Sequence, residues 1–228
     1  MIKHILSDFY NTLIDNEESI DSDTIIEIDK FRRNKGIFSI CTDLNYEEVL
    51  YYDKSFHFID YIISYSGSIV YDNNKEKIIY NKNILISKIK KLIKQLSTTN
   101  IILYSINTSH KLDNQYEEYL KNNKIYRIDI INNKDNLKIV KELELNYYEN
   151  NNKIIITGSN IIDSINKINK NKISNKETLC IPYDNKFIDC IKIYNCIGLS
   201  NTILNIKKIT KDNNKNGVLD IITSNIEV

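Results

Sequence analysis

Apolar runs of four to six residues alternate along the first third of the chain with stretches whose apolar positions recur every three or four residues. The run at 2–7 ends on Asp8 and the polar turn Asn11-Thr12, the pattern of a strand buried on both faces. Asp21-Ser22-Asp23 then precedes 24–34, with Ile25, Ile28 and Phe31 on one face and Gly36 beyond, which predicts a capped helix. A second buried strand at 37–41 ends in Thr42-Asp43, a helix follows at 46–53, and 61–64 is a third strand. Strand, helix and strand in this order predict a parallel sheet.

From about residue 66 the periodicity changes. Segments 68–71 and 77–80 flank Asp72-Asn73-Asn74, as in an antiparallel hairpin. Helices at 84–96, 115–122 and 134–143 and strands at 101–105, 126–131 and 153–157 follow. The parallel pattern resumes with a helix at 161–170, a strand at 178–181, a helix at 187–194, a short strand at 196–199 and a closing helix at 218–222. The predicted organisation is a Rossmann-like α/β core formed by 1–65 and 158–228, with 66–157 as an inserted α/β domain.

Composition narrows what such a fold does. With 31 basic against 30 acidic side chains the net charge is +1, which leaves no field to gather nucleic acid or an anionic membrane. The 16 tyrosines, among them Tyr51, Tyr52, Tyr147 and Tyr148, lack the basic stripe of a base-stacking platform and are expected in packing and at rims. Arginine is confined to Arg32, Arg33 and Arg127, so any phosphate contact falls mainly to lysines, hydroxyls and backbone N–H groups. Cys41, Cys180, Cys190 and Cys196 form no CxxC pair and His4, His57 and His110 lie far from them, which argues against zinc and for a reducing, cytoplasmic setting. No charged-then-apolar leader and no apolar run of about 18 residues is seen, so neither secretion nor membrane spanning is expected.

In parallel α/β sheets ligands bind beyond the carboxyl ends of the strands, where this sequence carries Asp8, Thr42 and the pair Asp184 and Asp189. Carboxylates brought together from separate strands repel one another unless a cation joins them, and Mg²⁺ with oxygen ligands suits such a set. Any one of these acids alone is more simply a helix cap or a turn residue, and it is the set taken together that points to a cation.

Asp8-Phe9-Tyr10-Asn11-Thr12 after an apolar strand resembles motif I of the haloacid dehalogenase superfamily, and Thr42 resembles motif II. Tyr183-Asp184-Asn185-Lys186-Phe187-Ile188-Asp189 is similar to its acidic motif IV. Ile197-Gly198-Leu199-Ser200-Asn201, the later Asn216-Gly217-Val218-Leu219 and the hairpin Ser66-Gly67-Ser68-Ile69-Val70-Tyr71-Asp72 resemble segments of the Cof-type phosphatases within it. The resemblance runs from residue 2 to about 222 and implies a Mg²⁺-dependent phosphatase of a small phosphorylated metabolite, a sugar phosphate or a nucleotide; a monomer or weak homodimer is expected, though no motif fixes the oligomeric state. It implies Asp8 as the nucleophile that becomes an aspartyl-phosphate, with Thr12, Thr42, Asp43, Asn160 and Asn201 around the phosphate. Asp8, Asp184 and Asp189 would hold the metal, and the insert would be a mobile cap.

The sequence departs from the pattern at three places. Tyr10 stands where these phosphatases carry the aspartate that protonates the leaving group, and a phenol is a poor base at neutral pH. Tyrosine at that place instead resembles the metal-independent dehalogenases, although their helical cap follows motif I. The lysine of motif III is expected near Gly158-Ser159-Asn160, with Lys153 and Lys167 as the nearest alternatives, and Ser66 replaces an asparagine. Together these leave a weakened relative that only binds a phosphate ligand as a further alternative.

Overall fold

The computed structural model describes residues 1–54, 57–96, 100–170 and 172–225. The runs expected as buried strands form β1 (His4–Asp8), β2 (Ile37–Cys41) and β3 (Tyr61–Ser64), followed by the antiparallel hairpin of β4 (Ile69–Asp72) and β5 (Lys77–Asn81). The inserted strands are β6 (Ile102–Tyr104), β7 (Ser109–Lys111), β8 (Arg127–Ile131), β9 (Asn146–Asn150) and β10 (Lys153–Thr157). Beyond them lie β11 (Thr178–Ile181), β12 (Asn195–Cys196) and the small pair β13 (Gly198–Leu199) and β14 (Ile209–Thr210). The helices are α1 (Ser22–Arg33), α2 (Tyr46–Asp53), α3 (Ile86–Gln95), α4 (Tyr116–Asn122), α5 (Lys134–Glu142), α6 (Ile161–Asn169) and α7 (Gly217–Asn225). None of the described helices is long and apolar enough to cross a membrane.

The core sheet runs β12-β11-β1-β2-β3-β4-β5. Its first five strands are parallel and buried by helices on both sides: Ile5, Phe38, Ile40 and Leu179 pack with Ile28 of α1 and Ile221 of α7. On the other face Leu6, Cys41, Ile63 and Cys180 pack with Ile161, Ile165 and Ile168 of α6. Side chains of successive strand residues point to opposite faces, which is why the two clusters interleave in sequence.

The expected boundary at residue 66 is corrected. The hairpin pairs antiparallel with β3 and lengthens the core sheet, so the separate unit begins beyond Lys82. A hairpin needs only a tight turn to join a neighbouring edge, and this one buries Ile69 and Val70 completely. The inserted sheet is ordered β7-β6-β8-β10-β9 and entirely antiparallel. One of its faces packs Leu103, Ile128, Ile130, Ile154 and Ile156 beneath Ile89 and Leu92 of α3 and Val140 of α5. By the same alternation the opposite face carries Arg127, Asp129, Tyr148 and Asn150.

The segment 187–194, expected as one helix, forms two 3₁₀ turns, Asn185–Phe187 and Cys190–Lys192. The Asp184 side chain takes the Lys186 N–H, and the N–H groups of Ile188, Lys192 and Ile193 bond three residues back, so the single four-residue bond, from Tyr194 to Cys190, closes the segment without an α-helical run.

Two glycines allow close backbone approach. Gly158 lies where the chain returns from the insert, and a Cβ there would stand 1.7 Å from the carbonyl oxygen of Lys82, where the chain leaves the core. Gly67 has φ +115° in the turn after β3, and its missing Cβ would meet the backbone of Asn160 at 2.4 Å. Gly67→Ala combines a φ disfavoured for any side chain with this clash, so it is expected to destabilise the protein by about 2–3 kcal/mol, measured as a lower urea midpoint.

Candidate active site

Parallel strands all deliver their carboxyl ends to one edge of the sheet. The connections from β1 and β11 leave in opposite directions there, and Asp8 and Asp184 flank the resulting crevice. Asp8 is 2% exposed, its Oδ1 accepts from the N–H of Phe9 at 2.8 Å, and its Oδ2 lies 2.8 Å from Nζ of Lys186. The same ammonium lies 3.0 Å from Oδ2 of Asp184, whose Oδ1 accepts the backbone N–H of Lys186 at 3.1 Å. The lysine is thereby bent back over its own loop, with its side chain 6% exposed and Phe187 buried beside it.

Electrostatics follow from this packing. Burial pushes Asp8 up to about 7; the Lys186 ammonium opposes the rise and Asp184 adds to it. Burial alone would favour a neutral amine at Lys186, but Asp8, Asp43 and Asp184 outweigh it and hold its pKa well above that of an ordinary lysine. Burial would also raise Asp43, which Lys186, Arg127 and the hydroxyls of Ser66 and Tyr148 hold below the usual carboxylate range.

The inserted domain closes the crevice. Arg127 donates to the backbone oxygen of Asp43 at 2.8 Å, and the Tyr148 hydroxyl donates to Oδ1 of the same residue at 2.5 Å. Asn150 donates to Oδ2 of Asp184 at 3.2 Å, while Asn185 donates to the carbonyl of Glu149 at 2.8 Å. The side chains facing the core are therefore those on the polar face of the inserted sheet. A cavity of about 480 Å³ beside Leu179 and Tyr194 opens at the amino-terminal ends of the strands and shares no residue with this cluster.

Of the residues singled out in the sequence, Asp8, Thr42, Asp43 and Asp184 converge. Thr42 is buried and its hydroxyl accepts the N–H of Leu44 at 3.2 Å. Thr12 is buried, and among the described residues its hydroxyl has no hydrogen-bond partner. Asn160 caps α6 by accepting the N–H of Asp163 at 2.8 Å. The amide of Asn201 donates to the Asn11 carbonyl and to Asn213, each at 2.9 Å, tying the motif I loop to the chain before α7. Tyr10 is 37% exposed; its hydroxyl lies 3.4 Å from that of Tyr52, a hydrogen bond that, with burial, raises its pKa, and among the described residues no bond joins it to Asp8.

Asp189 does not join the site: its side chain is 62% exposed and pairs with Lys192 at 2.9 Å, because the 3₁₀ turn carries it outward. The lysines considered for motif III stay away as well, Lys153 beside Asp129 at 3.3 Å and Lys167 over the ring of Tyr80. Lys186 supplies the charge instead, and position within the motif IV loop, two residues after Asp184, was the signal that marks it. A divalent cation needs converging oxygens, whereas here an ammonium stands between the two carboxylates and the third acid is turned away. With that ammonium in place the donor set does not fit Mg²⁺: Asp8, Asp43 and Asp184 converge on Lys186, but among the described residues no three side chains are placed to hold one metal ion.

The fold and this crevice define the chain's class, and comparisons with known proteins agree. A family model described as haloacid dehalogenase-like hydrolase matches residues 5–175. The chain belongs to that family of hydrolases. Among solved structures, a phosphatase of the superfamily from Bacteroides thetaiotaomicron superposes with a TM-score of 0.85 at 13% identity, over 98% of this chain and 95% of its own. A subclass IIB sugar phosphatase gives 0.82 at 13% identity over 97% and 98%. A haloacid dehalogenase-like hydrolase from B. subtilis gives 0.81 at 12% over 99% and 100%. At these identities the likeness is one of fold. No curated protein matches the sequence.

Proposed function

We propose that this protein hydrolyses the phosphoric monoester of a small metabolite, such as a sugar phosphate or nucleotide, through a covalent intermediate on Asp8. The observation that carries this reading is a buried carboxylate at the carboxyl end of β1, held against a fixed ammonium beneath a separately folded domain. A carboxylate oxygen of Asp8 attacks phosphorus, the bond to the ester oxygen breaks, and the leaving oxygen takes a proton. Water then adds to phosphorus, the acyl-phosphate bond breaks, and phosphate and free Asp8 result. The positive charge of Lys186 reduces repulsion between the nucleophile and the phosphoryl oxygens and stabilises charge in the transition state. Substrate admission requires the bonds of Tyr148 to Asp43 and Asn150 to Asp184 to open, so the inserted domain acts as a cap. The free thiols support a reducing, cytoplasmic setting and nothing in the mechanism needs more than a monomer.

Release of phosphate from an aryl phosphate, with the acyl-phosphate trapped by hydroxylamine, tests the proposal; absence of both rejects it. Tyr10 and the lysine against the nucleophile favour a second reading, displacement of halide from carbon, and halide release from a 2-haloacid distinguishes it. On the phosphatase reading, Tyr10→Asp supplies a carboxylate that protonates the leaving group and deprotonates water, and hydrolysis rises about 10²-fold. Unchanged rates would place the limiting step elsewhere, in opening of the cap.

A further inference from the structure

We infer that Lys186 is a built-in counterion that has taken the place of the divalent cation, so that the native protein has no Mg²⁺ site between Asp8 and Asp184. The ammonium lies 2.8 Å from one carboxylate and 3.0 Å from the other, the span a bridging cation occupies. It is not a surface lysine that has wandered inward: its backbone N–H is held by Asp184, the next residue Phe187 is fully buried, and the side chain is 6% exposed. The same pair of turns that brings the lysine in carries Asp189 out to Lys192, so one loop geometry places the ammonium between the acids and keeps Asp189 away. To bind there, a metal ion must displace a charge that already neutralises its ligands, and the displaced ammonium must find water through the closed cap. A covalently attached charge is not lost when metal is scarce, but it is single where Mg²⁺ is double.

Direct titration with Mn²⁺, followed by the electron paramagnetic resonance of the free ion, tests this on EDTA-treated full-length protein. The wild type is expected to bind no stoichiometric Mn²⁺ up to about 1 mM. Lys186→Ala is expected to bind one equivalent, and adding Asp184→Asn is expected to remove it. A wild-type site that Asp184→Asn abolishes overturns the inference. A folded Lys186→Ala protein without Mn²⁺ binding overturns it too, because then something other than the ammonium excludes the metal. If that variant does not fold, the wild-type titration alone decides. The activity arm rests on the phosphatase reading: Asp8-dependent hydrolysis should be unchanged by EDTA, and strict dependence on added Mg²⁺ overturns the inference. Lack of any hydrolysis with no Mn²⁺ bound overturns the phosphatase reading and leaves this inference standing.

Discussion

Asp8→Asn is expected to lower phosphate release by about 10³-fold or more while making the protein more stable, because the same burial that readies the carboxylate strains the native state. The amide keeps the shape of the side chain but has no nucleophilic oxygen and needs no counter-charge. The sign of the stability change follows from the two ionisation ranges. Burial lifts Asp8 in the folded protein to about 7, against an ordinary value of 3.8. Below about pH 4 both states are protonated and the carboxyl imposes no penalty. As pH rises towards 7 the unfolded chain ionises freely and the folded one does not, so stability is lost over that window. The amide escapes this loss, and its advantage, on the order of 4 kcal/mol, should be complete above pH 7 and vanish below pH 4. Urea unfolding of both proteins at pH 4 and pH 8 measures it. In the wild type, hydrolysis should rise from pH 6 to 8 as Asp8 ionises, and a rate flat across that range would contradict the raised pKa.

Removing the partner has the opposite consequence. Lys186→Met keeps the length of the buried stem but leaves Asp8 and Asp184 facing each other with no cation, and an uncompensated buried charge costs about 3–5 kcal/mol. The cost applies only while both carboxylates are charged. Lowering the pH protonates the first of them, so the gap to the wild type should narrow between pH 8 and pH 5, as read by urea midpoints. Turnover should fall together with stability, by about 10²-fold, since the charge facing the transferred phosphoryl group is gone. A Lys186→Met protein as stable as the wild type at pH 8 would mean that the two acids share a proton without help.

The sequence showed the parallel core because its strands are buried on both faces: 37–41 and 178–181 are apolar but for Ser39 and Thr178, a pattern that suits an element covered on both sides. Asp8, Thr42 and Asp184 were legible because each ends such a run. The edges were not. Ser109–Lys111 and Asn146–Asn150 lie at the two borders of the inserted sheet and carry polar residues, so nothing in their periodicity separates them from loops. The second of these strands nonetheless brings Tyr148 and Asn150 onto Asp43 and Asp184. Lys186 was hidden for a different reason. In a chain so rich in lysine each one is expected in solvent, and only the turn set by Asp184 reveals that this one points inward. Asp189 misled because spacing along a sequence says which acids are near, whereas two 3₁₀ turns decide which way they face.

The contact of Gly158 with the carbonyl of Lys82 makes the inserted domain a loop closed at its neck. To the core sheet, the whole excursion occupies the space of one tight crossing, however long it is. The register of β1 with β2 and with β11 involves none of its residues. The narrow point is Gly158 itself, since any larger side chain there would push the two passing chains apart.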